Sequence, residues 1–194
     1  RWIHVNHPDM IENFFDRDKD GNRDGGFDGI VTLLDAIETE NYRAAHVLDD
    51  APFHIGRRAG REQVVVNREF VWLQLLNQGR ILWGIAVSDA HHVHGNGVGG
   101  WRTYVRSSTD EPSKIDWREI SRRAKAGQMI LTTGPYLEVE TLDGVLPGGY
   151  ARANEFVELK TRVSCPSWIE VDRVQVLVNG RQEPSLNFTR KSHP

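Results

Sequence analysis

A single cysteine, Cys165, stands in 194 residues, so no internal disulfide staples this chain. Long apolar runs are missing as well. None approaches the roughly 18 residues of a bilayer-spanning helix, and no signal-peptide pattern opens the sequence. An excess of positive charge is also missing. Lys and Arg number 24 against 27 Asp and Glu, a net charge of −3. That balance leaves neither a nucleic-acid footprint nor a polybasic membrane patch. Repeats and low-complexity tracts do not occur. There is no initiating Met: Arg1 runs straight into Trp2-Ile3-His4-Val5-Asn6-His7-Pro8, a strand already under way, so the sequence is expected to be a fragment lacking its N-terminal part.

What is present belongs to a globular protein. Hydrophobic residues make up 39% and charged residues 26%, with six tryptophans. The length allows a sizeable core, as one large domain or one with a small companion.

The most informative stretch is Ile81 to His92, an apolar run of strand length that ends in Ser88-Asp89-Ala90-His91-His92. Alternation places Ile81, Trp83, Ile85, Val87, Asp89 and His91 on one face. An acid and an imidazole two residues apart at a strand end are suited to binding a metal, although the same residues also serve as ordinary loop caps. Near the start, alternation puts Ile3, Val5 and His7 together, and Pro8 ends that strand because it cannot donate to a ladder. His7 is thus a second inward histidine at a strand's carboxyl edge, or a loop hydrogen-bonder.

Asp16-Arg17-Asp18-Lys19-Asp20-Gly21-Asn22-Arg23-Asp24 follows the spacing of a calcium loop, with Asp16, Asp18, Asp20 and Asp24 at positions one, three, five and nine and Gly21 at the turn. Asn22 adds a carbonyl oxygen. Phe27 occupies the position of the usual bidentate Glu, leaving Asp28 to complete the shell. The competing reading is a solvated acidic loop. Leu33 to Glu38 reads as a short apolar strand ending in Glu38, and residues 43–63 are not assigned. Val66, Phe70, Leu73 and Leu76 recur at helical spacing, with Gly79 as the stop.

His91 to Gly100 is glycine-rich but lacks the G-K-[ST] ending of a phosphate loop. His92 and His94 are substrate groups or plain loop residues, and Arg102, opening a strand from Trp101 to Arg106, is placed to face an anionic substrate. Asp116 followed by Glu119 marks a capping box, starting a helix with Trp117, Ile120 and Ala124 inward and Gly127 as the stop. Met129 to Thr132 is a further strand. After Thr133-Gly134-Pro135 the pattern changes to alternating segments at Tyr136–Glu140, Glu155–Ser164 and Arg173–Val178, with Asn179-Gly180 as a hairpin turn. The expectation is an α/β domain over 1–133 and a small β-sandwich, itself truncated, over 134–194.

In this order, Asn6-His7-Pro8, Asp35-Ala36-Ile37-Glu38 with Asn41, Leu76-Asn77-Gln78-Gly79, Ser88-Asp89-Ala90-His91, Gly100-Trp101-Arg102-Thr103-Tyr104-Val105 and Thr132-Thr133-Gly134-Pro135-Tyr136-Leu137 resemble the C-terminal half of a PHP-domain metallohydrolase (polymerase and histidinol phosphatase superfamily). The closer likeness is to the CehA/McbA-type branch, which carries a β-sandwich after the barrel. The resemblance implies the C-terminal half of a (β/α)7 barrel with two or three divalent metals (Zn, Mn or Fe) at the strands' carboxyl ends. It implies His7, Asp89 and His91 as metal ligands, with Asp89 also taking the proton of the attacking water; Arg102 and His92 are the candidates for substrate contact from their own positions. The implied reaction is cleavage of a small-molecule phosphoester or carboxyl or carbamate ester by a metal-activated water. The family's earlier ligands do not occur in this sequence, so the chain is expected to be inactive without the missing half of its barrel. The alternative from another class is a calcium-stabilised, non-catalytic binding module. The calcium-type loop favours the periplasm or cell exterior, where calcium is plentiful.

Overall fold

A computed structural model describes residues 1–7, 33–39, 53–58, 60–66, 68–93, 99–153 and 155–192. Along the chain come β1 (His4–Val5), β2 (Ala36–Glu38), β3 (Phe53–Arg58), β4 (Arg61–Val66), helix α1 (Arg68–Asn77) and β5 (Trp83–Ile85). Then follow β6 (Arg102–Val105), helix α2 (Trp117–Lys125), β7 (Met129–Thr132), β8 (Tyr136–Thr141) and β9 (Leu159–Ser164). The last strands are β10 (Arg173–Val174), β11 (Leu177–Val178), β12 (Arg181–Gln182) and β13 (Phe188–Thr189). The protein is mixed α/β, as expected. Its described strands make one three-stranded parallel sheet and five two-stranded antiparallel ones. Among the described residues no sheet closes into a barrel. None of the described helices is long and apolar enough to cross a membrane.

Contacts divide the chain into two compact units, one of Ile3–Ile85 with Asp172–Pro194, the other of Arg1–Trp2 with Ala86–Val171. The first holds the parallel sheet, in the order β1-β2-β5. Its middle strand has no solvent face, which is why Ala36, Ile37 and Glu38 are all buried. β5 departs from the expected alternation. It stops at Ile85, Ile81 is 50% exposed, and the buried residues are Leu82, Ile85 and Ala86. A strand covered on both faces need not alternate, so residues of both parities are buried and period two does not separate them.

Helix α1 packs on this sheet through Val71, Trp72 and Leu75, which join Ile37 and Leu82 in the core. The Trp72 indole N–H donates to the Leu82 carbonyl at 2.6 Å. Gly84 permits that approach, since a Cβ there would lie 3.0 Å from Thr39 Cγ2 and 3.3 Å from Trp72 Cζ2. α1 ends as the sequence predicts. Gly79 adopts φ +77°, its N–H donates to the Leu76 carbonyl, and the Arg80 N–H donates to the Leu75 carbonyl. That pair of bonds is a Schellman motif. β3 and β4 form an antiparallel hairpin that includes part of the unassigned 43–63 stretch. Asn179 (φ +53°) and Gly180 (φ +73°) make the tight turn expected between β11 and β12. The hairpin docks on α1: the Asn77 side-chain amide donates to the Asn179 carbonyl at 2.8 Å.

In the second unit β6 pairs antiparallel with β7, and β8 with β9. Asp116 caps α2 by accepting from the Arg118 N–H at 2.9 Å. The rest of the expected capping box is not made. Glu119 turns instead to the Ser108 hydroxyl and to Arg123. Trp117, expected inward, is 67% exposed with the Arg118 guanidinium 4.5 Å over its ring. Ala124 is buried, and Gly127 closes the helix at φ +71° with the same two-bond motif as α1. The single strand expected over 173–178 is two strands, β10 pairing with β13 and β11 with β12.

Candidate functional site

The carboxyl edge of the parallel sheet gathers the first group of functional side chains. β1 ends at Val5 and β2 at Glu38, so His7 follows one strand beside the final residue of its neighbour. Glu38 is only 1% exposed. One carboxylate oxygen, Oε2, accepts the His7 backbone N–H at 2.5 Å and lies 3.6 Å from His7 Nδ1. The other, Oε1, accepts from Arg68 Nη1 at 3.0 Å. A buried carboxylate requires such compensation, and the guanidinium from the first turn of α1 supplies its countercharge. The His7 side chain is 57% exposed rather than inward.

Sequence reasoning placed Glu38 at a strand end but assigned it no role, and passed over Arg68. The available signal was a charged residue closing an apolar strand, Ala36-Ile37-Glu38. Its partner lies 30 residues onward and no local spacing announces it.

The second group follows β5. Ala86 is bracketed by one hydroxyl: its N–H donates to Thr103 Oγ1 at 2.9 Å, and its carbonyl accepts from the same atom at 2.8 Å. Three residues later Asp89 Oδ1 stands 3.3 Å from His91 Nε2, with side chains 42% and 69% exposed. The expected D-x-H pair is therefore brought together, although on irregular backbone beyond the strand rather than on its face. His92 is exposed beside it.

Backbone geometry sets two of these residues apart. Among the described residues three non-glycines have positive φ: His7 at +46°, Asp89 at +41° and Asn179 at +53°. Asn179 is explained by its hairpin turn. His7 stands at a bend and Asp89 on irregular backbone, and left-handed conformations in non-glycine residues concentrate where function demands an awkward orientation.

Arg102 begins β6 with its guanidinium 5.9 Å over the Tyr104 ring. Its Nε is buried without a hydrogen-bond partner among the described residues. Tyr104 meets Tyr136 edge to face at 5.7 Å. Beyond them a cleft of about 940 Å³ is lined by Tyr104, Met129, Tyr136, Glu138, Lys160 and Arg162, among others. Ion pairs Glu138–Arg162 and Glu140–Lys160 cross β8–β9 along it. This cleft contains none of the candidate site residues named from sequence.

The calcium-type residues Asp16, Asp18, Asp20, Asn22, Asp24 and Asp28 lie outside the described residues. Imidazole nitrogen and carboxylate oxygen are donors suited to zinc, manganese or iron, so the chemistry of His7, Asp89 and His91 fits a divalent transition metal. Among the described residues no three or more His, Cys, Asp or Glu side chains converge as a complete shell. Comparison with protein-family models, with curated proteins and with solved structures finds no match.

Proposed function

We propose that this chain is part of a metal-dependent hydrolase of the PHP type, acting on phosphoester or carboxyl or carbamate ester bonds. The observation that carries the reading is the left-handed backbone at His7 and Asp89, the two positions the resemblance makes metal ligands. The β-sandwich over 134–194, the remaining barrel over 1–133 and calcium at the Asp16–Asp28 loop belong to the same proposal.

A bound divalent ion would supply Lewis acidity, lowering the pKa of a bound water toward about 7. The chain's own residues do the rest. His7 and His91 would hold the ion through one ring nitrogen each. The Asp89 carboxylate would hold the ion and take the proton of the attacking water at an oxygen, with His91 3.3 Å away to orient it. Arg102 would meet the substrate anion, and His92 would add a second donor.

The experiment is elemental analysis of the purified chain, prepared without chelator, beside Asp89→Ala. Zinc, manganese or iron present in the parent and absent from the variant is the expected result. Calcium alone in both samples sinks the hydrolase reading. It would leave the second reading, a calcium-stabilised binding module, which the cleft along β8–β9 favours because exposed tyrosines and an ion-pair ladder line it and none of the metal-ligand candidates does.

A further inference from the structure

We infer that Glu38 is a positioning residue for His7, and that with Arg68 it forms the support on which His7 meets its metal. The inference rests on the hydrolase reading and extends it to residues that reading does not assign.

Three observations converge. First, His7 holds φ +46°, a conformation that persists in a non-glycine only when its surroundings over-determine it. Second, the group that fixes this backbone is Glu38 Oε2, which accepts the His7 N–H at 2.5 Å. Third, Glu38 cannot wander. It is 1% exposed, it ends the central strand of the sheet, and its second oxygen is held by Arg68 at 3.0 Å. A buried carboxylate is costly unless paired, and the Arg68 guanidinium offsets that cost while holding Glu38 in place.

The geometry also selects a nitrogen. Nδ1 of His7 faces Glu38 at 3.6 Å, which is ion-pair range and longer than a hydrogen bond. Nε2 lies on the opposite side of the ring. Metal-binding histidines commonly turn one ring nitrogen toward a carboxylate and ligate through the other, and removing that carboxylate weakens metal binding by about 10–100-fold. Glu38 stands where such a carboxylate belongs. Its grip on the backbone adds a second restraint, because it fixes where the imidazole starts as well as which way it turns.

The test is Co²⁺ binding to the whole chain, followed by its visible d–d bands, in a double-mutant cycle of His7→Ala and Glu38→Gln. Circular dichroism verifies that each variant is folded. The expected result is a loss of about 10-fold or more for either single variant, with Glu38→Gln adding nothing once His7 is gone. That non-additivity is what a purely structural carboxylate would not give. Equal losses from Glu38→Gln in both backgrounds overturn the inference, as does a folded Glu38→Gln that binds like the parent. If His7→Ala itself leaves Co²⁺ binding unchanged, the hydrolase reading falls first, so the two failures are distinguishable. Should Glu38→Gln not fold, the E38Q/R68Q pair removes both buried charges together and carries the same comparison.

Discussion

Two residues in this chain, His7 and Asp89, sit in left-handed backbone conformations that cost a non-glycine residue about 1–3 kcal/mol each. Glycine relieves such strain, so Asp89→Gly is expected to raise stability slightly, by up to about 1 kcal/mol, even though it removes an exposed ion pair worth at most about the same. Urea denaturation checks this. A loss greater than about 1 kcal/mol would show that Asp89 is there for stability. Glu119 gives a second prediction. The Ser108 hydroxyl, and then Arg123, hold its carboxyl below the usual glutamate range. The folded state therefore favours the ionised form. Its contribution is complete above the ordinary value of about 4.3 and is lost as pH falls through the lowered one. The Tm gap between parent and Glu119→Gln should accordingly narrow from about pH 5 to pH 3, whereas a constant gap would show that the charge is not what Ser108 and Arg123 recognise. Both residues were visible in the sequence, but only in part. The D-x-H spacing showed Asp89 beside His91, while nothing local showed its backbone angle. The capping-box spacing singled out Glu119 and named the wrong partner, because Ser108 arrives from a neighbouring segment.

Element ends with local signals were read correctly, although the stripe read for α1 began at Val66, which closes β4. α1 and α2 each stop where a glycine permits a left-handed residue, β7 spans Met129–Thr132, and Asn179-Gly180 turns a hairpin. Elements whose character depends on distant neighbours were misread. β5 was given a buried and an exposed side, yet it lies in a parallel sheet beside β2 with residues of both parities buried. Trp117 was turned inward by its position on a helical stripe, yet it lies outward under Arg118. A loop contact shows the same dependence. Gly148 (φ +82°) packs so closely that a Cβ would overlap the Ala126 carbonyl oxygen and lie 2.8 Å from Gly127 Cα, at the end of α2. Gly144 (φ +85°) has nothing within 4 Å of the same atom. Gly148→Ala should therefore cost roughly 2–5 kcal/mol, combining strain with overpacking, and Gly144→Ala only about 1–2. Equal losses in thermal unfolding would show that the loop does not rest on α2.

At the scale of the molecule, the last segment belongs with the first. Asp172–Pro194 joins Ile3–Ile85 in one unit, and its hairpin sits on α1 at Leu73 and Asn77. Truncation after Val171 should strip amide-exchange protection from α1 while leaving β6, β7 and α2 protected. Retained protection along 68–77 would show that the hairpin contributes nothing to that helix. A sequence pass along the chain is poorly placed to find such a return, since it rests on pairs about 100 residues apart (Asn77 with Asn179) that share no pattern. The arrangement also sets an order of assembly. A ribosome releases the sheet-bearing segment first and its covering hairpin last, with Ala86–Val171 between them. At about 5–20 residues per second, that intervening stretch takes roughly 4–17 seconds to emerge. During that interval the outer side of α1 waits at the exit tunnel, open to any chaperone that binds apolar helices, until its own chain arrives to cover it.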